Sequence, residues 1–305
     1  MKVFYHSGDL DGKCSAAIIK YFFKDRDEII KLVPYNNGRE LPIKQMQEGE
    51  TIFFLDCCFS PIEEMVKLAN QYNLIWIDHH ISSMNEARNL GFNPEGIREV
   101  GKAACELTWE YACKQICISG KEYPIPYGVR MIGRHDVWDL HFSNDLHNYQ
   151  HGLNSMDTDP RTEKGMMTWS NVVFSQNESS SMKIIEDGKA IERYLSQLDR
   201  QLMNAYSFST RIDGKKALAV NRQLINSSMF KSKWDNSKYD LMIAFAKFKD
   251  GKLGFHWKVS MYTDKKGVDV SKIAQKYGGG GHEKAAGFVT PILPFRIEDE
   301  ELCMD

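Results

Sequence analysis

The period of apolar positions changes along the chain, and those changes mark its elements. Val3-Phe4-Tyr5 is a short apolar run that empties into the polar stretch His6 to Gly12, the pattern of a strand and its loop. Cys14, Ala17, Ile18, Tyr21 and Phe22 then recur at helical spacing. Ile29 to Val33 and Thr51 to Leu55 are further strand-like runs, and the second ends on Asp56. Ser60, Pro61 and Glu63 read as a capping box that starts a helix with the apolar stripe Ile62, Met65, Val66 and Ala69. A fourth run, Leu74 to Ile77, leads directly into Asp78-His79-His80. Strands alternating with helices predict an α/β fold with a mostly parallel sheet flanked by helices.

Residues 101–150 read as helical and close on Arg134-His135-Asp136-Val137-Trp138-Asp139. Residues 155–181 are polar and rich in turn formers, so loop is expected there. From about Met182 to Tyr206, positions such as Ile184, Ile191, Leu195, Leu198 and Leu202 fit one long connecting helix. Leu241 to Phe248 and Leu253 to Met261 then alternate across Asp250-Gly251, which predicts a hairpin with a type I′ turn. A short helix, Val270 to Tyr277, precedes Gly278-Gly279-Gly280-Gly281-His282. The expected organisation is a larger domain over 1–180, a connecting helix over 181–206 and a smaller C-terminal α/β domain over 207–305.

Composition narrows the function classes. The 305 residues are 42% hydrophobic and 26% charged, a globular balance with material for a sizeable core. Thirty-nine basic against 41 acidic residues give a net charge of -2, which excludes coating of nucleic acid by bulk charge but not a local basic groove. The chain has no apolar run long enough for a membrane span, and MKVFYHSGDLDGK is no signal peptide, so a cytoplasmic protein is expected. An odd count of seven cysteines, without a second pair to complete Cys113 and Cys117 as a zinc site, predicts reduced and mostly packed thiols.

Acidic and histidine-bearing segments stand where the N-terminal strands end: His6, Asp9 and Asp11, then Asp56, then Asp78-His79-His80, with Asp136 further on. Open α/β sheets bind ligands beyond the carboxyl ends of their strands. Carboxylates gathered there repel one another unless cations lie between them. Mixed imidazole and carboxylate donors suit manganese, iron, cobalt or zinc better than calcium. Two such ions ~3.5–4 Å apart form a clamp for displacement at phosphorus. Taken singly, a DxD is more often a solvated turn, Asp56 can cap a helix, and Asp136 can pair with Arg134. Together, in this order at strand ends, they point to metal. Asp139 competes with Asp136 for the same role.

These segments carry a resemblance. HSGDLDG, FFLDCC, IWIDHH and RHDVWD resemble, in order, the four motifs of the DHH phosphoesterases. DVSKIA followed by GGGGHEKAAGF resembles the signature of the DHH-associated domain type 1. The resemblance implies one metal held by His6, Asp9 and Asp56, and a second by Asp11, Asp56, His79 and Asp136, with Asp56 bridging. It implies a nucleophilic water between the ions, His80 facing the phosphate and Asp78 orienting a neighbouring histidine as an acceptor. It further implies that Gly279, Gly280, Gly281 and His282 hold substrate. Tyr262 stands where many relatives carry an arginine, so the phosphate-binding role falls to Tyr262, Lys258 or Arg134. Trp138 and Asp139 shape the turn of the fourth motif, and Trp138 also offers a face on which a base can stack.

The expected activity is therefore a manganese-preferring phosphodiesterase that attacks short oligonucleotides from an end through a two-metal-activated water. Phosphatase action on adenosine bisphosphate and hydrolysis of cyclic dinucleotides are alternatives on the same site. Inorganic pyrophosphatase or exopolyphosphatase activity is a third, disfavoured by the glycine run. A binding module that has lost catalysis is disfavoured by the complete donor set.

Overall fold

Four five-residue strands build the first sheet: β1 (Lys2–His6), β2 (Lys31–Tyr35), β3 (Thr51–Leu55) and β4 (Asn73–Ile77). All pairings are parallel, in the order β2-β1-β3-β4. Alternate side chains feed separate cores. Val3, Tyr5, Phe53, Leu55, Ile75 and Ile77 enter one, while Phe4, Ile52, Phe54, Leu74 and Trp76 enter the other. A sheet buried on both faces reads as an unbroken apolar run, which is why TIFFL and LIWI show no alternation.

The first core is closed by α1 (Leu10–Phe23), α4 (Ala104–Ile116), α5 (Tyr127–Asp136) and α6 (Leu146–Asn154). On the opposite face lie α2 (Ile62–Ala69) and α3 (Ile81–Asn89). The chain reverses direction across the sheet between β1 and β3, since β2 lies on one side of β1 and β3 on the other. Such a switch point opens a crevice at the carboxyl strand ends. The first turn of α1 packs closely onto the end of β1: a Cβ at Gly12 would sit 2.1 Å from the His6 carbonyl oxygen, so only glycine fits.

The computed structural model describes residues 1–25, 29–36, 46–116, 123–223, 227–250 and 254–296. It divides into two units, Met1–Glu192 and Arg193–Asp305. The division falls within α8 (Ser179–Tyr206), which gives Ile184 and Ile185 to the core of the first unit and Met203 to that of the second. The second unit is a six-stranded mixed sheet of order β5-β6-β7-β8-β10-β9. Its strands are β5 (Ser207–Ile212), β6 (Lys215–Asn221), β7 (Leu241–Asp250), β8 (Gly254–Tyr262), β9 (Gly280–His282) and β10 (Ala285–Thr290). Its α9 (Val270–Lys276) buries Val270, Ile273 and Ala274 against one face. Among the described residues, no helix is long and apolar enough to cross a membrane.

Several local expectations are corrected. The capping box of Ser60 and Glu63 does not form, because Pro61 itself occupies the cap position in extended backbone and offers no side-chain acceptor. The open N–H of Ile62 donates instead to Glu86 Oε1 of α3 at 3.1 Å. Residues 155–181 are not all loop. They hold α7 (Glu163–Thr168) and a π-helical turn, Trp169–Val173, anchored by the fully buried Trp169. These pieces are too short for a helical period to show against their polar neighbours. Strand β2 begins two residues later than expected, and β5, β6, β9, β10 and α3 were not foreseen. The β7–β8 hairpin is antiparallel, and its turn at 251–253 lies outside the described residues, as do Cys117 and Cys303. Cys14, Cys57, Cys58 and Cys105 are free and buried, and Cys113 is partly buried, its Sγ 3.8 Å from the Tyr123 carbonyl oxygen.

Trp76 ties this fold to the site. Its ring is fully buried, and its Nε1–H donates to the Cys57 carbonyl at 3.2 Å and to Asp78 Oδ2 at 3.0 Å. Trp76→Ala is expected to destabilise the protein by about 3–5 kcal/mol, read as a lowered midpoint of urea unfolding. A loss under 1 kcal/mol would show that the second core does not depend on this ring.

Candidate metal centre

The carboxyl ends of β1, β3 and β4 deliver His6, Asp56 and Asp78. Helix α1 adds Asp9 at its N-cap and Asp11 in its first turn, and α5 ends on Asp136. Asp56 occupies the centre. Its backbone is left-handed, with φ 56°, and its N–H donates to the Ile77 carbonyl at 3.0 Å. That bend turns a buried carboxylate along the sheet edge. Asp56 Oδ2 lies 3.4 Å from His6 Nδ1, and Oδ1 lies 3.3 Å from His79 Nε2.

Two donor groups therefore share one carboxylate. His6 Nδ1 is also 2.7 Å from Asp9 Oδ2, which gathers His6, Asp9 and Asp56. His79 Nε2 is 3.3 Å from Asp136 Oδ2 and 3.7 Å from Asp11 Oδ2, which gathers Asp11, His79 and Asp136. Asp139 is held elsewhere, 3.6 Å from Arg134, so of the two competing acids Asp136 is the one beside His79.

Asp9 and Asp11 each grip a helix start while facing this centre. Asp9 Oδ1 accepts the Gly12 N–H at 3.1 Å, at the head of α1. Asp11 accepts the Ala104 and Cys105 N–H groups at 2.9 and 2.7 Å, at the head of α4. A carboxylate there satisfies orphan donors and meets the positive end of the helix dipole. Sequence reasoning missed this second role, although a signal existed: Gly101-Lys102-Ala103 offers α4 no capping side chain of its own.

Asp78 is fully buried and saturated. Its Oδ1 accepts from the His79 and His80 N–H groups at 2.7 and 3.1 Å and meets His80 Nδ1 at 2.7 Å, while Oδ2 accepts from Trp76. His80 belongs to a third possible donor group with Asp56 and His79, but its Nδ1 is 3.9 Å from Asp56 and committed to Asp78. Its ring is half exposed and leaves Nε2 for an incoming group.

The electrostatics show how tightly the charge is crowded. Hydrogen bonds to Asp56 and Asp9 hold the His6 imidazolium up to about 10. The Asp78 carboxylate holds His80 up to about 9. Burial works against a charged His79, yet Asp56 and Asp136 leave it raised. Burial and the Asp56 charge push Asp136 up to about 6, and the same causes, burial first, drive Asp11 well above the carboxylate range. Asp56 Oδ1 is buried and accepts no hydrogen bond. A raised proton affinity is the response of crowded carboxylates that a cation would relieve more fully. Four acids, Asp9, Asp11, Asp56 and Asp136, carry the charge that two divalent ions neutralise, and the N,O donor set suits a transition metal. The residues fit the metals that the motifs imply.

Residues 2–128 match the model of the DHH family, N-terminal domain, and residues 221–295 match the DHHA1 domain. The chain belongs to the DHH family. An uncharacterized protein of Acanthamoeba polyphaga mimivirus is 25% identical over 98% of this chain and 70% of its own length. Among solved structures, the pGpG-specific phosphodiesterase PggH from Vibrio cholerae aligns with a TM-score of 0.52 at 13% identity, covering 95% of this chain and 93% of the other. Exonuclease RecJ bound to manganese aligns with a TM-score of 0.50 at 13% identity, covering 95% and 85%. Both share the fold of this chain.

The DHHA1 domain contains an open groove of about 570 Å³. Lys258, Ser260 and Tyr262 project from one face of β8, while Val259 and Met261 point into the core behind. Gly278 to Gly281, the small residues Ala285 to Gly287, and Val259, Phe288 and Val289 also line it, so Tyr262, Gly279, Gly280 and Gly281 are brought together. Lys258 is the cationic side chain among these lining residues. His282, paired with Ala285 on the outermost strand, is not among them. The glycine run is no loose turn: a Cβ at Gly279 would sit 2.1 Å from the Gly287 carbonyl, whereas Gly280 faces open space. Arg134 belongs to the first unit, where its Nη2 donates to the buried Glu106 at 3.0 Å.

The raised imidazoles set a pH dependence. At pH 7 His6 and His80, raised to about 10 and about 9, hold protons in the metal-free protein, and an imidazole nitrogen must be bare to ligate. Manganese binding is therefore expected to release protons at pH 7 and to tighten as pH rises toward about 10, the release vanishing above that. Calorimetric titrations in buffers of different ionisation enthalpy measure it. Identical heats in all buffers would contradict the assignment of His6 and His79.

Proposed function

We propose that this protein is a manganese-dependent phosphodiesterase that hydrolyses short oligonucleotides through a water activated at the Asp56 centre. The observation that carries the reading is Asp56 itself: a buried, left-handed carboxylate whose two oxygens face separate donor groups. In this reading His6, Asp9 and Asp56 hold one ion, and Asp11, Asp56, His79 and Asp136 hold the other. When bound, two divalent ions supply charge neutralisation for phosphoryl oxygens and acidify water from 15.7 toward about 7.

The chain's own groups do the rest. Asp9 and Asp11 are locked by backbone N–H groups of α1 and α4, so the donors keep their geometry. Asp78 fixes the tautomer of His80, with the proton on Nδ1 shared toward Oδ1 and Nε2 turned outward. His80 Nε2–H then stabilises the phosphate charge or protonates the leaving oxygen. In the DHHA1 groove, Lys258 and the exposed backbone at Gly280 offer positive charge and close approach to a sugar–phosphate chain. Phosphodiester rather than pyrophosphate chemistry is supported by the shared fold of a phosphodiesterase and an exonuclease.

A 5′-labelled RNA trimer with manganese is expected to yield mononucleotide, with Asp56→Ala abolishing both turnover and metal binding. Pyrophosphate, adenosine 3′,5′-bisphosphate and cyclic di-AMP in parallel define the substrate class. Cleavage of pyrophosphate alone would overturn the reading. His80→Ala is expected to retain metal and melting temperature while kcat falls by about 10²-fold or more. Undiminished turnover would remove His80 from the reaction. For Lys258→Ala the expected change is a KM raised several-fold at nearly constant kcat, and a kcat loss instead would place Lys258 in the chemistry.

A further inference from the structure

Trp138 follows the fourth motif acid by two residues and is 73% exposed, the largest side chain to be left in water so fully. It belongs to none of the buried clusters. Its backbone is left-handed, with φ 58°. Helix α5 ends here in a Schellman motif: the Asp139 N–H donates to the Arg134 carbonyl at 2.9 Å, and the Trp138 N–H to the His135 carbonyl at 3.2 Å. The residue after the cap in that motif is usually glycine, because a side chain in the left-handed region is sterically disfavoured. A tryptophan there costs stability twice, once in backbone and once in exposed apolar surface. Folding offers no reason for it.

The ring is not adrift. Trp138 stacks on His135 with rings 24° from parallel and centroids 6.5 Å apart, and His135 is braced from the side by His147, Nε2 to Nδ1 at 3.1 Å. His135 is the neighbour of Asp136, so the platform grows from the same helix end that supplies the acid facing His79. Two residues span at most ~7 Å of chain, which keeps Trp138 within one nucleoside of the centre. Exposed aromatic faces of this kind bind nucleobases with little regard to sequence.

Resting on the phosphodiesterase reading, we propose that Trp138, backed by His135, is the stacking platform for the nucleobase beside the reacting phosphate. It makes the site discriminate nucleotides from base-free phosphate esters, and it accounts for a bulky residue at a glycine position. The prediction that separates this from a structural role is a split: Trp138→Gly should hold or raise the melting temperature while recognition is lost.

The test compares wild type, Trp138→Gly and Trp138→Phe on a diadenosine dinucleotide and on its analogue with an abasic ribose at the same phosphodiester. Wild type is expected to prefer the base-bearing substrate by about tenfold or more in kcat/KM. Trp138→Gly should bring that ratio toward one, and Trp138→Phe should keep most of it. Alongside, AMP in magnesium buffer should quench tryptophan emission in wild type and not in Trp138→Gly. An undiminished ratio in Trp138→Gly, or an undiminished quench, overturns the platform and leaves the phosphodiesterase reading standing. A wild type that cleaves neither dinucleotide yet shows the Trp138-dependent quench keeps the platform and ends the phosphodiesterase reading. A wild type with no quench at all overturns the platform.

Discussion

Everything at this site answers to one buried carboxylate. Asp56 is taken out of water at the end of a central strand and set among Asp9, Asp11 and Asp136. Two like charges 4 Å apart repel by ~4 kcal/mol at an effective dielectric of 20, and burial adds to the cost of each. The protein meets that cost by a raised proton affinity at His6, His79, Asp11 and Asp136, and by anchoring Asp9 and Asp11 on helix starts. Both solutions are compatible with a cation and neither replaces one. The mutual repulsion of these acids and their capacity for metal are the same fact.

The N-terminal half was legible in the sequence because its chemistry and its fold obey one rule. Strands buried on both faces are continuous apolar runs, and the polar residues that interrupt them mark the strand ends where an open sheet binds ligands. His6, Asp56 and His79 could thus be placed together from order alone. The choice between Asp136 and Asp139 could not, since both stand at the end of the same helix and only the turn at Trp138 leaves one beside His79 and the other with Arg134. The hold of Asp11 on α4 was invisible because it joins positions 93 apart. Short strands such as β9, and α7 with its π-helical turn, are decided by partners distant in sequence and have too few residues for a period to show.

The DHHA1 groove shows a different economy. The Asp56 centre gathers charge, whereas the groove sets the side chains of β8 against glycines and alanines at 278–281 and 285–287 that leave space open. Part of the glycine run is required by the sheet itself, where a Cβ at Gly279 has no room. Only Gly280 is small without an internal reason. Glycine content alone could not separate packing from recognition, and the register of β9 on β10 does.

The link between Asp11 and the start of α4 also orders events in time. The donor set runs from His6 to Asp136, and Asp11 is steadied by amides at 104 and 105. During synthesis, the first strand and its acids emerge long before the helices that complete and brace them. A nascent chain therefore carries an unfinished cluster of acids through most of the translation of its first unit, unable to grip a metal with its full set until α5 has followed. Metal capture at the proposed centre would on this account be a late act of folding, with the ion selected in the finished crevice rather than by an extended chain.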